Sequence, residues 1–91
     1  MAGVRKSREG LPRILFDTND GTAERGYELK FTQSLEDIAA IGPQIHEGMQ
    51  VVIYMPEELE FIATLKFDRE AGWWLGVPVA GTIKYLDGTD A

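Results

Sequence analysis

The sequence predicts a mainly β fold at the margin of α+β, a small antiparallel barrel or roll of about five to six strands with one short helix near residues 35–41. Three observations support this prediction. Residues 59–67 alternate apolar and polar side chains, which is the pattern of a strand with one dry face. Short polar connections flank this stretch on both sides. Only residues 34–42 show the apolar spacing of a helix.

The central strand can be paired with its neighbours by matching apolar faces. Folding the chain back about Glu57 and about Glu70 brings apolar side chains into common rows. The first fold sets Val51 opposite Ala63, and the second sets Phe67 opposite Trp73. A shift of one residue would turn each row onto the charged face, so the register should be well specified. The predicted antiparallel strands of this meander cover residues 50–55, 59–67, 73–79 and 82–86.

A second hairpin is predicted in the N-terminal half. Ile14 and Phe16 would form its first strand, residues 17–21 its polar loop, and alternating residues from Tyr27 to Phe31 its second strand. The loop Asp-Thr-Asn-Asp-Gly also resembles the start of a calcium-binding loop, but Gly21 and Thr22 replace an oxygen ligand and the turn glycine. A hairpin turn explains the same residues, and no metal site is predicted.

The helix is predicted from its end signals and its apolar stripe. Ser34 is an N-cap candidate with Asp37 three residues later, and Gly42 followed by Pro43 ends the pattern. The helix is about two turns long, so its apolar side must pack against the sheet to be stable. We expect it to close one open end of the barrel or roll.

Composition limits the possible classes of function. The chain has 91 residues and no cysteine, which removes disulfides, thiolate nucleophiles and sulfur-ligated zinc and makes the cytoplasm the expected location. The longest apolar run, residues 51–55, is too short to span a membrane. We expect one β-barrel-like domain over residues 13–87, between a disordered basic tail at residues 1–12 and a disordered end at residues 88–91.

Charge is distributed unevenly along the chain. The net charge is −6, yet residues 1–13 carry four basic side chains and one acidic side chain. The acidic body should repel nucleic acid, which could contact only the basic tail. His46 is the single histidine, and no sequence motif of a hydrolase, metalloprotease or phosphate-binding loop is present. The sequence therefore predicts no enzyme, no catalytic residues and no cofactor.

One face of the meander is too apolar for a surface exposed to solvent. The predicted register gathers five residues there, namely Val52, Tyr54, Ile62, Trp74 and Pro78. Either the N-terminal hairpin or the helix covers this face, or the face binds a protein partner or a second copy in a homodimer. These five residues form the predicted partner-binding surface of a non-enzymatic interaction domain or self-associating accessory protein.

The glycine-led strand at residues 48–54, the central strand and residues 73–78 resemble the strand pattern of small bacterial SH3-like barrel proteins, many of which have no assigned function. The resemblance extends over about forty residues. The chain also resembles the PilZ domain, which binds cyclic dinucleotides. This resemblance implies an alternative function, a small-ligand or cyclic-dinucleotide sensor that uses Arg5, Arg8 and Arg13, although the Asp-x-Ser-x-x-Gly segment of that family is missing here.

Overall fold

The computed structural model describes residues 10–86 and confirms a mainly β fold with one α-helix in this range. The helix α1 covers Thr32–Ile41 and continues into a short 3-10 turn at Gly42–Gln44. The strands are β1 (Arg13–Leu15), β2 (Gly21–Thr22), β3 (Gly26–Glu28), β4 (Gln50–Met55), β5 (Leu59–Asp68), β6 (Trp73–Pro78) and β7 (Lys84–Tyr85). 

All seven strands belong to one sheet that curls into a roll. The strand order is β1-β4-β5-β6-β3-β2, and β7 pairs with the first part of β5. Phe16 follows β1 and Tyr27 lies in β3, far apart in this order, yet their ring centroids are 5.1 Å apart. The inner faces of distant strands therefore meet. Because the order starts at β1 and ends at β2, the described sheet is a roll and not a closed barrel.

The core lies inside the roll and is built from alternate residues of the strands. Phe16 packs edge-on against Phe61 with the ring centroids 5.2 Å apart. Ile38 and Ile41 of α1 pack against this cluster, as the apolar spacing of the helix predicts, whereas Leu35, the first residue of the predicted stripe, is 52% exposed. The buried core residues are Ile14, Phe16, Leu29, Val51, Ile53, Phe61, Ala63 and Leu65.

The predicted pairing of β4 with β5 is confirmed, whereas the predicted register of β5 with β6 is wrong by one residue. Val51 pairs with Ala63 as expected, but Phe67 pairs with Trp74 and not with Trp73. The cause is a shorter turn. Asp68 still belongs to β5, and its carbonyl accepts a hydrogen bond from the Gly72 N–H at 2.7 Å. Because of this shift, Trp74 and Pro78 lie on the core side of the sheet, and the β6 residues predicted for the core lie on its outer side.

The predicted N-terminal hairpin is also wrong. β1 runs parallel to β4, with Ile14 opposite Ile53, so the sheet is mixed and not purely antiparallel. β3 pairs with β6, and its hairpin partner is the two-residue strand β2. Alternation identifies the buried face of a strand but does not identify the strand with which it pairs. Here β1 lies beside β4 on one side of the meander, and β3 lies beside β6 on the other side.

The predicted ends of the elements differ in smaller ways. The helix begins two residues before Ser34, and the N-cap position is Phe31, which makes no side-chain capping bond. A strand within the predicted residues 82–86 is present as the shorter β7, but β7 pairs with β5 and not with β6, so it does not continue the meander. The Pro12 carbonyl accepts a hydrogen bond from the Val52 N–H at 2.8 Å, so the ladder reaches one residue before β1. Of the predicted disordered tail at residues 1–12, the structure describes residues 10–12; residues 1–9 and the predicted disordered end at residues 88–91 lie outside the described residues.

Within residues 10–86, no helix is both long enough and apolar enough to cross a membrane.

Candidate functional site

The five residues of the predicted partner surface do not lie on one exposed face. Val52 is fully buried and Ile62 is 2% exposed, which agrees with the alternative that this part of the sheet is covered. Trp74 and Pro78 lie on the opposite face, because the observed register pairs them with Phe67 and Ala63 of the core side. Tyr54 is half-buried. Partner binding by these residues stays a prediction.

Near Tyr54, the side chains make a structural cluster. The Arg13 guanidinium lies 4.8 Å from the centre of the Tyr54 ring and forms an ion pair with Glu60 at 2.9 Å. The Tyr54 hydroxyl donates a hydrogen bond to Asp37 at 3.3 Å. Burial and the nearby Asp37 carboxylate raise the pKa of Tyr54. Arg13 is thus engaged in the fold, while Arg5 and Arg8 of the predicted nucleotide site lie outside the described residues.

On the face of β6 that points away from the core lies a partly exposed apolar row, which consists of Trp73, Leu75 and Val77. All three side chains are half-buried. Leu75 lies between Lys66 of β5 and Glu28 of β3 in the register of the sheet. This row, together with its charged neighbours Lys66 and Asp68 on β5, Glu28 on β3 and Lys30 just after β3, is called the outer face below.

Trp73 lies between charges of opposite sign. Asp68 is its partner in β5, and the Lys30 ammonium lies 5.1 Å from the centre of its ring on the β3 side. Lys30 in turn lies 3.3 Å from Glu28 and 3.7 Å from Asp20. The Trp73 Nε1 atom is buried and has no hydrogen-bond partner among the described residues. Trp73 thus has a negative charge on its β5 side and a positive charge on its β3 side, whereas Leu75 has a positive charge on its β5 side and a negative charge on its β3 side.

A cleft of about 870 Å³ opens over this face. Its floor includes Leu75 and Val77. A Cβ atom added to Gly26 would lie 3.0 Å from the Leu75 Cβ. Because glycine has no side chain, Gly26 leaves this part of the floor uncovered. One rim carboxylate is held in place, because Glu47 accepts a hydrogen bond from the Phe67 N–H at 2.9 Å. The charged residues lining the cleft are Glu24, Arg25, Glu47, Lys66, Asp68, Arg69 and Glu70.

The sequence could not assign the outer face, because residues 73–79 carry no charged side chain. A strand without charged positions gives no indication of which side faces water. The outer face of β6 is decided by the turn between β5 and β6, because the length of this turn sets which β6 residues lie opposite the core residues of β5. Asp68 accepts hydrogen bonds from the N–H groups of Glu70 and Ala71, at 3.0 and 3.1 Å, and this fixes a turn that ends at Trp73.

The other motifs of the sequence have structural roles or no assigned role. The Asn19 N–H donates to the Asp17 carboxylate at 2.8 Å, and the Asp20 N–H donates to the Asp17 carbonyl at 3.0 Å, so these residues form a tight turn. His46 is exposed, and its Nδ1 lies 2.9 Å from the Gln44 carbonyl. No group of three or more metal-ligating side chains occurs in the part of the chain that the structure describes.

Comparisons with protein-family models, with curated proteins and with solved structures found no match to this chain.

Proposed function

We propose that the chain is a non-enzymatic protein-interaction domain that binds a protein partner through its outer face. The observation that supports this proposal is the half-buried row Trp73, Leu75 and Val77, of which Leu75 and Val77 line an open cleft. Apolar centres surrounded by polar rims are typical of protein contact surfaces, in which tryptophan is enriched. The proposed partner is a folded protein surface with an apolar centre and charges of both signs around it.

The charge of the cleft favours a protein over a phosphorylated ligand. Three cations and four carboxylates line it, so it offers a dianionic nucleotide no net positive charge. A protein surface with interleaved charges can instead pair with both signs. The cytoplasm, expected from the absence of cysteine, stays a prediction.

The proposal can be tested by site-specific crosslinking in cells that produce the protein. A photoreactive amino acid is placed at Val77 in the cleft or, as the control, at Glu36 on the exposed side of α1. We expect the Val77 position alone to crosslink a defined protein, which is identified by mass and then purified. Equal crosslinking from both positions would contradict the proposal.

Binding of the purified pair gives the quantitative part of the test. Leu75→Lys places a charge in the apolar row and should raise the dissociation constant at least tenfold, about 1.4 kcal/mol of binding free energy. Lys66→Glu changes an exposed side chain beside Leu75 and should also weaken binding even where Leu75→Lys disturbs the fold. Unchanged affinity for both variants would exclude the outer face as the binding site.

A further inference from the structure

Four charges on the outer face form an alternating pattern around the apolar row. Lys66 and Glu28 lie on the two sides of Leu75. Asp68 and Lys30 lie on the two sides of Trp73. The sign of the charge therefore changes along each strand and also across the strands.

We propose that this face is self-complementary and that its occupant is a second copy of the chain, an inference that rests on the proposed function. In a symmetric dimer, the same patch of both copies meets across a two-fold axis. If the axis runs along β6, Lys66 of one copy faces Glu28 of the second copy, and Asp68 faces Lys30. Each of these four charges then meets its opposite, while Leu75 meets Leu75 in the centre.

The pattern is also complementary about the perpendicular axis. If the axis runs across the strands, Lys66 of one copy faces Asp68 of the second copy, and Glu28 faces Lys30. A face with one dominant sign would repel its own copy in both arrangements. The alternating pattern instead allows face-to-face packing of two sheets with their strands aligned, which is a common way for sheets to associate.

The partly exposed state of these charges makes them available to a second copy. The side chains of Lys30 and Glu28 keep 37% and 33% of their surface exposed, although they form an ion pair at 3.3 Å within one copy. Lys66 is exposed. Because the charges stay partly exposed to solvent, we expect a dimer that forms reversibly and dissociates as salt is added.

The test is sedimentation of the purified chain at concentrations from about 1 μM to about 1 mM, which covers weak association. We expect a shift from monomer to dimer over this range, and a rise of at least tenfold in the dimer dissociation constant for Glu28→Lys, because symmetry places this substitution at two contacts. Glu36→Lys makes the same charge change on the exposed side of α1 and should leave the dimer unchanged. A wild-type chain that stays monomeric, or a dimer equally insensitive to both substitutions, would overturn the proposal.

Restoring the dimer by a second charge reversal shows which axis is used. Adding Lys66→Glu to Glu28→Lys restores association if the axis runs along β6, whereas adding Lys30→Glu restores it if the axis runs across the strands. Restoration by either pair supports the proposal, and restoration by neither overturns it. A photocrosslink from Val77 to a different protein, with the wild-type chain monomeric, would support the proposed function while overturning self-association.

Discussion

Replacing Ser34 by alanine tests how the fold protects the outer edge of β1. The Pro12 carbonyl and the Phe16 N–H bond to β4, so the backbone groups of Leu15, which alternate with them, point away from the sheet. The helix supplies their partners. The Ser34 hydroxyl donates to the Leu15 carbonyl at 2.6 Å, and the Asp37 carboxylate accepts from the Leu15 N–H at 3.0 Å.

The expected loss of stability follows from the burial of Ser34, which is 0% exposed. Ser34→Ala leaves the Leu15 carbonyl without this donor, which costs about 1 to 3 kcal/mol. Alanine has the better helix propensity, and this returns about 0.5 kcal/mol. The free energy of unfolding should therefore fall by about 0.5 to 2.5 kcal/mol, and the midpoint temperature by about 2 to 20 °C for a domain of this size.

Urea unfolding followed by tryptophan fluorescence measures this difference, with Thr32→Ala as the control on the exposed side of the same helix. Thr32→Ala should change the free energy of unfolding by less than about 0.5 kcal/mol. If both variants lose the same stability, the hydroxyl of Ser34 does not stabilise the sheet edge, and the argument is wrong. A loss confined to Ser34→Ala supports it.

Three further predictions concern the core, the register and the response to pH. A Cβ at Gly76 would lie 3.0 Å from the Ile53 Cδ1, so Gly76→Ala should destabilise the fold by about 1 to 3 kcal/mol, and adding Ile53→Val should recover part of that loss in urea unfolding. The double substitution Thr64→Cys with Val77→Cys should form an intramolecular disulfide on oxidation, which thiol titration detects. These two positions lie opposite each other in the observed register of β5 with β6, whereas in the register with Phe67 opposite Trp73 they would lie on opposite faces of the sheet. Because the pKa of Tyr54 is raised in the folded state, the unfolded state loses this proton first as the pH rises above about 10, and the wild-type chain loses stability there. Tyr54→Phe should remove this loss of stability above about pH 10, which urea unfolding at about pH 9 and about pH 11 measures.

The sequence predicts an element well where one local signal decides the structure. The turn around Glu57 joins the apolar run of residues 51–55 to the alternating strand of residues 59–67, and the pairing of Val51 with Ala63 follows from it. The register of β5 with β6 could not be predicted in this way. Residues 73–79 can place either their odd-numbered or their even-numbered side chains in the core. The turn after Asp68 decides between the two, because residues 69–72 connect the strands in place of the predicted residues 68–72.

Contacts between distant parts of the chain account for the other errors. Parallel pairing of Ile14 with Ile53 joins residues that no short turn connects, and such pairing has no local sequence signal. Ser34 has the sequence features of an N-cap, but its hydroxyl bonds to Leu15, 19 residues away. The partner-surface prediction identified that part of the meander's second face is unusually apolar. The shared face of the five residues is what the structure does not show, because Trp74 lies on the core side.

The arrangement of the sheet edges bears on how the chain could associate with its own copy. Adding a strand to an edge requires a long row of free backbone groups. The outer edge of β1 is occupied by Ser34 and Asp37, while β2 and β7 are two residues long. Strand addition would therefore gain few hydrogen bonds at these edges. The apolar area near Leu75 on the outer face is the better surface for association, and this is why the charge-reversal test is directed at that face.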